Sequence, residues 1–328
     1  MPVPSTKEQI LRMLEDRADW ISGSAIADEL KITRSAVWKH IKELKSEGYG
    51  IDSSRQEGYR LRESTSLLLP HEIKKYLSTT FMGRRLIHHD QLISTVSAAK
   101  NLCEKEDPAS LHGTVIIAEE QTGGMGRLGR AWFSPAGGIW ATIILTPRIP
   151  IDHLHMVTMA GSAAVARAIR KKFQLGALIK WPNDIYIGDR KVCGLLLELS
   201  AEADRVHYCL LSMGIDANIT TEELPTGLVT PITSLSSELG RDVNRAKLLA
   251  RILGEFEQRY LLVEDGEYDS IIREWKSLSL TLNQQVKITT MKKTFVGRAI
   301  DIDEHGALIV RKENGKIERV IAGDCYKI

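Results

Sequence analysis

The stretch GGMGRLGRAW, residues 123–132, constrains this chain more tightly than any other. It puts four glycines and two arginines into ten residues. Glycine gives up too much backbone freedom inside a helix or strand, so the stretch must be a flexible, cationic loop. It follows the apolar run GTVIIAEE (113–120) and precedes GGIWATIIL (137–145), both of strand length. A loop at the end of a strand can wrap an anion. Glycine amides donate hydrogen bonds to phosphate or carboxylate oxygens, while Arg127 and Arg130 neutralise charge. A Walker A loop is excluded, because the closing lysine and Ser/Thr are missing. A plain surface loop is the competing reading.

The surrounding segments predict a mixed α/β domain. RLIHHD (85–90) reads as a short strand, and residues 94–105 as a helix begun at Ser94 and Thr95. A long helix is expected over 152–173, strands split by a turn at Gly188 over 177–200, and another strand over 205–219. Within KWPND (180–184) the proline holds Trp181 in an extended bend, so Asn183 and Asp184 are fixed at a strand start. Lys191, flanked by Val192 and Cys193, is expected to face inward, which demands an anionic partner. A salt-bridged core lysine is the alternative there, and packing is the alternative for Trp181. A second mobile segment is expected at 217–234, rich in Thr, Pro and Gly.

The N-terminal part reads differently. Residues 6–16 place Ile10, Leu11 and Leu14 on one helical face. Ser24 is expected to cap a short helix carrying Ile26, Ala27 and Leu30. After the turn Lys31–Thr33, a second helix over about 34–47 carries Val37, Ile41 and Leu44 inward. Two helices joined by so short a turn form a helix-turn-helix. The second helix bears Arg34, Lys39, His40, Lys42 and Lys45, a face suited to phosphate and the major groove. Residues 48–61 read as a hairpin with Arg55 at its tip, which makes the unit a winged helix. The candidate DNA contacts are Ser22, Ser24, Thr33, Arg34, Ser35, Lys39, His40, Lys42 and Arg55. A solvated face on a small helical domain is the competing reading. Acids and bases balance over 1–63, so non-specific affinity should be modest. Residues 62–70 lose periodicity and read as a linker.

Composition narrows the remaining classes. A net charge of +2 over 328 residues excludes a polycation, so any nucleic-acid contact is a local patch. No apolar run reaches ~18 residues, which argues against a membrane span, and the N-terminus lacks the apolar core of a secretory signal. Cys103, Cys193, Cys209 and Cys325 are scattered without zinc spacing and point to a reducing, cytoplasmic setting.

Taken together, these stretches resemble the bifunctional biotin protein ligases that double as biotin operon repressors. The resemblance spans nearly the whole chain. It rests on Gly124-Met125-Gly126-Arg127-Leu128-Gly129-Arg130-Ala131-Trp132, on KWPND, on Lys191, Gly194, Leu196 and Glu198, and on Ser94, Thr95 and Gln121. Three positions depart from the family pattern. Met125 replaces an arginine, Val96 a polar residue, and Asp216 an asparagine, departures that bear on adenylate affinity more than on the reaction. The implied fold is α+β: a winged helix-turn-helix (1–63), a central mixed α/β, class II synthetase-like biotin ligase domain (64–278) and a C-terminal SH3-like β-barrel (279–328). Short alternating strands in 284–328 agree with the last.

The resemblance implies two steps, biotin plus ATP to biotinyl-5'-AMP, then transfer to a lysine of the biotin carboxyl carrier protein. It implies Lys191 and Arg127 as catalytic residues. Ser94, Thr95, Val96, Gln121, Gly124, Met125, Gly126, Arg127, Trp132, Lys191, Gly194 and Leu196 would hold biotin. Arg127, Arg130, Lys180, Asn183 and Asp216 would hold ATP or the adenylate. The amides of Gly124 and Gly126 would close over the reacting group, with Mg2+ brought on the ATP phosphates. Operator DNA and a homodimer formed on the adenylate are the further implied partners. Two other readings stand beside it: a regulator that only senses biotin or its adenylate, and a lipoate ligase, against which the loop and the C-terminal domain argue.

Overall fold

The structure is a computed structural model that describes residues 5–17, 19–63, 65–202, 205–220, 222–223 and 230–328. The chain divides after Leu67 into two compact units.

In the first unit, α1 (Thr6–Glu15) starts from a capping box in which Ser5 and Glu8 satisfy each other's backbone amides. Helices α2 (Gly23–Leu30) and α3 (Arg34–Ser46) follow, joined through Lys31 in the left-handed region. Ile10, Leu11, Leu14, Ile26, Val37, Ile41 and Leu44 are all buried, so the helical periodicity read from the sequence marks the core. Strands β1 (Gly50–Ser54) and β2 (Gly58–Glu63) form an antiparallel hairpin, the wing. At Gly58 φ is +105° and a Cβ would lie 2.1 Å from the Ile21 carbonyl oxygen, so only glycine fits. The cap of α2 corrects the expectation. Ser22, not Ser24, has the extended backbone of a cap and accepts the Ala25 amide; Ser24 already lies inside the helix.

The second unit begins with α4 (Pro70–Lys74), β3 (Leu86–Leu92), α5 (Thr95–Lys105), β4 (Val115–Gln121) and β5 (Ile139–Leu145). The expected linker is shorter than its lost periodicity suggests, since Leu68 and Leu69 are buried in this unit. Helix α6 (His155–Phe173) starts three residues later than expected, after a 3-10 turn at Ile151–His153. The segment 177–200 yields three strands, the last two split at Gly188: β6 (Ala177–Lys180), β7 (Asp184–Ile187) and β8 (Arg190–Glu202). Then come β9 (Arg205–Ile215), α7 (Leu235–Leu239), α8 (Arg245–Glu264) and α9 (Tyr268–Ser277). Of the segment 217–234, residues 221 and 224–229 lie outside the described residues.

These strands build one seven-stranded sheet in the order β3-β4-β5-β9-β8-β7-β6, antiparallel except for the β3–β4 pair. Side chains alternate between its faces. Ile117, Ala141, Ile143, Leu195, Leu211 and Met213 join the main core with α6, α8 and α9. Ile116, Ile144 and Leu210 turn the other way, under α5. That parity also places Thr142, Gly194, Leu196, Ser212 and Gly214 on the α5 face. The rest of the unit is a five-stranded antiparallel sheet, β13-β12-β11-β10-β14, made of β10 (Gln285–Thr289), β11 (Thr294–Ile302), β12 (Leu308–Arg311), β13 (Ile317–Val320) and β14 (Asp324–Lys327). The architecture is α+β, with a helix-turn-helix, a mixed seven-stranded sheet and a β-rich C-terminal part. No helix among the described residues is long and apolar enough to cross a membrane.

Candidate functional site

Between Leu92 and α5 the chain turns from sheet to helix. Ser94 caps α5 by accepting the Val96 amide. Thr95 donates both its amide (2.8 Å) and its hydroxyl (3.1 Å) to Gln121 Oε1. Gln121 Nε2 in turn donates to Ser134 Oγ at 3.0 Å. The Thr142 hydroxyl donates to Thr95 Oγ1 at 2.8 Å and lies 3.0 Å from Ser212 Oγ. A chain of small polar groups therefore lines the α5 face where Ser94, Thr95 and Gln121 were expected. Thr142, Ser212 and Ser134 were missed, because nothing in their own segments marks them. Val96 is a correction. Its side chain is buried with Ala99, Ile116, Ile144 and Leu210, and its amide is already donated to Ser94 Oγ.

Farther across the same face, Gly194 and Gly214 are direct neighbours on β8 and β9. The Trp132 ring lies over both. A Cβ on Gly194 would come within 3.0 Å of it, and one on Gly214 within 2.6 Å of its Nε1. Glycine inside a strand marks such a close approach; Gly214 carried that signal in the sequence and was overlooked. Trp132 Nε1 is buried with no hydrogen-bond partner among the described residues. Lys191 Nζ sits 4.8 Å from the centre of the ring and 2.7 Å from Asp184 Oδ1. The lysine does face inward, and its anionic partner is Asp184. Asp216 is nearby and almost wholly buried. Burial pushes its carboxyl up to about 8, with the Lys191 ammonium pulling the other way.

The glycine-arginine loop closes over this area. Gly124 accepts the Trp132 amide, and a Cβ there would strike Ser134 Oγ and the Trp132 carbonyl at 2.6 Å. The Gly126 amide donates to the Arg130 carbonyl at 2.7 Å, which corrects the expectation that it is free to cradle an anion. Leu128 adopts the left-handed conformation and Gly129 meets open space. Arg127 donates to Asn183 Oδ1 (3.3 Å) and to the Gly323 carbonyl (3.1 Å). Arg130 makes a two-pronged pair with Asp324, which holds the Asp324 carboxyl below the usual range. Both arginines are thus held by the edge strand β14 or the residue before it, partners 196 and 194 positions away that no local pattern announces. Met125 is 53 % exposed. Asn183 is pinned by its own donation to the Leu195 carbonyl.

Lys180, on β6, is the cross-strand partner of Asp184. Its Nζ donates to Tyr186 Oη at 3.0 Å and faces the Tyr326 ring. Burial lowers its pKa, with Asp184 acting to raise it. Trp181 is buried and donates from its indole to the Gly306 carbonyl, and it also lines the cavity that Arg127 and Asn183 border. A cavity of about 580 Å3 runs from Arg127 and Asn183 past Leu196 to His305 and Ile321. Among the described residues no group of three or more His, Cys, Asp or Glu converges on a metal.

The first unit carries a separate candidate interface. Arg34, Ser35, Lys39 and Lys42 are exposed along α3, and Arg55 is exposed at the wing tip. Ser22 and Thr33 act as helix caps, and Ser24 lies 3.1 Å from the Ser22 hydroxyl. His40 Nδ1 sits 3.0 Å from Glu43 Oε2, the contact that does most to lower the Glu43 pKa, so its ring is already engaged. Trp38 is 58 % exposed in the middle of α3, a feature a count of charges does not register.

Residues 93–216 match the biotin/lipoate A/B protein ligase family, residues 6–60 an HTH domain and residues 281–327 the biotin protein ligase C-terminal domain. The chain is 37% identical to the bifunctional ligase/repressor BirA of Bacillus subtilis, over 93% of each chain. It is 26% identical to the Escherichia coli protein of that name, over 92% of this chain and 91% of the relative. Its fold matches a biotin protein ligase of Aquifex aeolicus solved in complex with biotin and ATP, with a TM-score of 0.64 and 26% identity, covering 74% of this chain and 98% of that one.

Proposed function

The chain belongs to the BirA family of bifunctional ligase/repressors, and from that premise we propose how this site performs the two tasks. The protein is a biotin–protein ligase that uses biotin and ATP, and a DNA-binding repressor. The observation that carries the reading is the meeting, under one loop, of Lys191 beneath Trp132 and Arg127 on Asn183.

In the first step a biotin carboxylate oxygen attacks the α-phosphorus of ATP. The new O–P bond forms as the α–β bridge breaks, and pyrophosphate leaves with that electron pair. Two anions must approach, so the barrier is chiefly electrostatic. Lys191, held between Asp184 and the Trp132 ring, neutralises the carboxylate oxygen and the phosphorane. Arg127 and Arg130 turn from Asn183, Gly323 and Asp324 onto the phosphate as the loop closes. Lys180 and Asn183 hold the nucleotide, and Asp216, protonated near neutrality, offers it a neutral donor. The ureido ring exchanges hydrogen bonds with Ser94, Thr95 and Gln121, and the bicycle lies along Trp132, Gly194 and Leu196. Magnesium fits as an ion that arrives on the ATP phosphates, since it is commonly held by substrate oxygens. In the second step a neutral lysine amine of the biotin carboxyl carrier protein attacks the anhydride carbonyl. The C–N bond forms as the C–O bond to AMP breaks, AMP leaves with that electron pair, and the amine's extra proton passes to solvent.

We assign DNA binding to 1–63, catalysis to 64–278 and support of the loop to 279–328, in a cytoplasmic protein. The adenylate-bound form dimerises through the central domain. Ile93, Met125, Leu128 and Phe133, exposed on loops around the site, supply apolar surface for that contact. Two winged helices would then meet two half-sites. The decisive experiment is transfer of labelled biotin to a carrier domain with lipoate as competitor. Biotin transfer that lipoate does not suppress is expected; lipoate transfer would overturn the assignment. Sedimentation with and without biotin and ATP tests the dimer.

A further inference from the structure

The recognition helix carries one side chain that charge does not explain. Trp38 is 58 % exposed, although its ring is among the largest apolar groups a protein can bury. The core of this unit has no place for it, because Val37, Ile41 and Leu44 already fill the inward stripe of α3. It stands one turn after Arg34 and Ser35 and one turn before Lys42, all exposed. Lys42 Nζ lies 5.6 Å from the ring centroid, close enough for a cation–π contact that orients the indole. The neighbouring side chains are cations and hydroxyls, suited to phosphates and to polar base edges. In the major groove the one apolar group a base presents is the thymine C5-methyl.

We propose that Trp38 is a specificity-determining residue for operator recognition, packing its indole face on a thymine methyl in each half-site while Lys42 swings to a phosphate. This rests on the DNA-binding reading of the winged helix. It gives the face a division of labour. Lys39 and Lys42 supply sequence-independent attraction, and Trp38 supplies a preference for thymine over cytosine at one position. Burying one methyl against the ring corresponds to about fourfold in affinity.

The test uses the full chain with biotin and ATP and a duplex that the wild type selects from a random library. Each thymine is replaced in turn by deoxyuridine, which removes only the methyl. For the wild type, binding is expected to weaken about fourfold at one thymine per half-site and to change little elsewhere. Trp38→Ala should bind the thymine duplex more weakly, bind its deoxyuridine form equally well, and keep the wild-type salt dependence. Lys42→Ala should keep the thymine preference and lower the salt slope by about one. Thermal melting of each variant establishes that it is folded, as expected for exposed positions. A wild type that binds well yet ignores every deoxyuridine, or a Trp38→Ala protein that keeps the preference, overturns the proposal alone. A wild type that selects no duplex overturns the DNA-binding reading as well.

Discussion

Lys191 and the arginines of the glycine loop are aimed at the same small region, but they are held in opposite ways. Lys191 stands on strand β8, with its side chain 16% exposed, between Asp184 on the adjacent strand and the Trp132 ring. Arg127, half-buried on the glycine loop, has the neutral partners Asn183 and the Gly323 carbonyl to leave. Arg130 stands on the same loop with its side chain 57% exposed, paired with Asp324 of the C-terminal sheet. Exposed pairs of that kind contribute little and exchange readily, whereas a partly buried cation is costly to displace. The difference separates two duties. A fixed cation meets the reacting atoms, and exchangeable cations open and close over the product.

Breaking the fixed side should have the largest effect. Lys191→Ala is expected to slow adenylate formation about a hundred- to a thousandfold, the order for one preorganised charge donor, with the fold intact by thermal melting. Pyrophosphate release at near the wild-type rate would count against the lysine. On the exchangeable side, Arg127→Gly should still form adenylate but release it roughly tenfold faster or more, the order of a lost charge-assisted hydrogen bond. Labelled biotin would then appear on an unrelated protein such as albumin; no rise over the wild type contradicts the clamp.

Asp216 sharpens the contrast, because it borders the fixed cation. Its carboxyl goes from an ordinary 3.8 to about 8 in the folded protein, mainly through burial. The native state therefore keeps a proton that the unfolded chain has lost. Its contribution to stability is fully present below the unfolded value and is lost as pH rises through about 8. Protonated, the group resembles the asparagine it replaces. Asp216→Asn should flatten the fall in melting temperature over this window and remove any loss of adenylate affinity above about pH 8. An unchanged pH profile in the variant would show that Asp216 is not the titrating group.

Two loop variants are expected to act more weakly. Met125→Arg adds a cation to the cradle and should tighten adenylate binding by roughly 1 kcal/mol, seen as slower dissociation; weaker binding would mean that the side chain packs instead. Asp324→Asn removes the partner that Arg130 must leave. It should lower the KM for ATP by up to about fivefold, the upper range of an exposed pair, with kcat unchanged. A higher KM would mean that Asp324 positions the loop rather than competing with the nucleotide.

Legibility in the sequence follows the same division. The helix-turn-helix could be read because the 3.6-residue spacing of Val37, Ile41 and Leu44 is local. The glycine loop could be read because its composition forbids regular structure. Lys191 could be placed inward, and its need for an anion inferred, without identifying Asp184. That identity depends on how β7 pairs with β8, where the register shifts between Ile185 and Tyr186. The partners of Arg127 and Arg130 depend on the folding of the C-terminal sheet against the loop, which no nearby residue encodes. Ser22 and Ser24 are equally good caps by type, and only the backbone angles distinguish them. Trp38 escaped notice because apolar residues at helical spacing are ordinarily core.

The division between fixed and exchangeable cations is tested most directly by a single-turnover experiment. Excess enzyme is mixed with labelled ATP and biotin and quenched on a millisecond-to-minute scale, and enzyme-bound and free adenylate are measured for the wild type, Lys191→Ala and Arg127→Gly. The expected result is that Arg127→Gly forms adenylate at close to the wild-type rate and then loses it to solution, whereas Lys191→Ala forms almost none. If both variants lose formation to the same extent, or Lys191→Ala forms adenylate normally, the two cations do not have separate duties and the account fails.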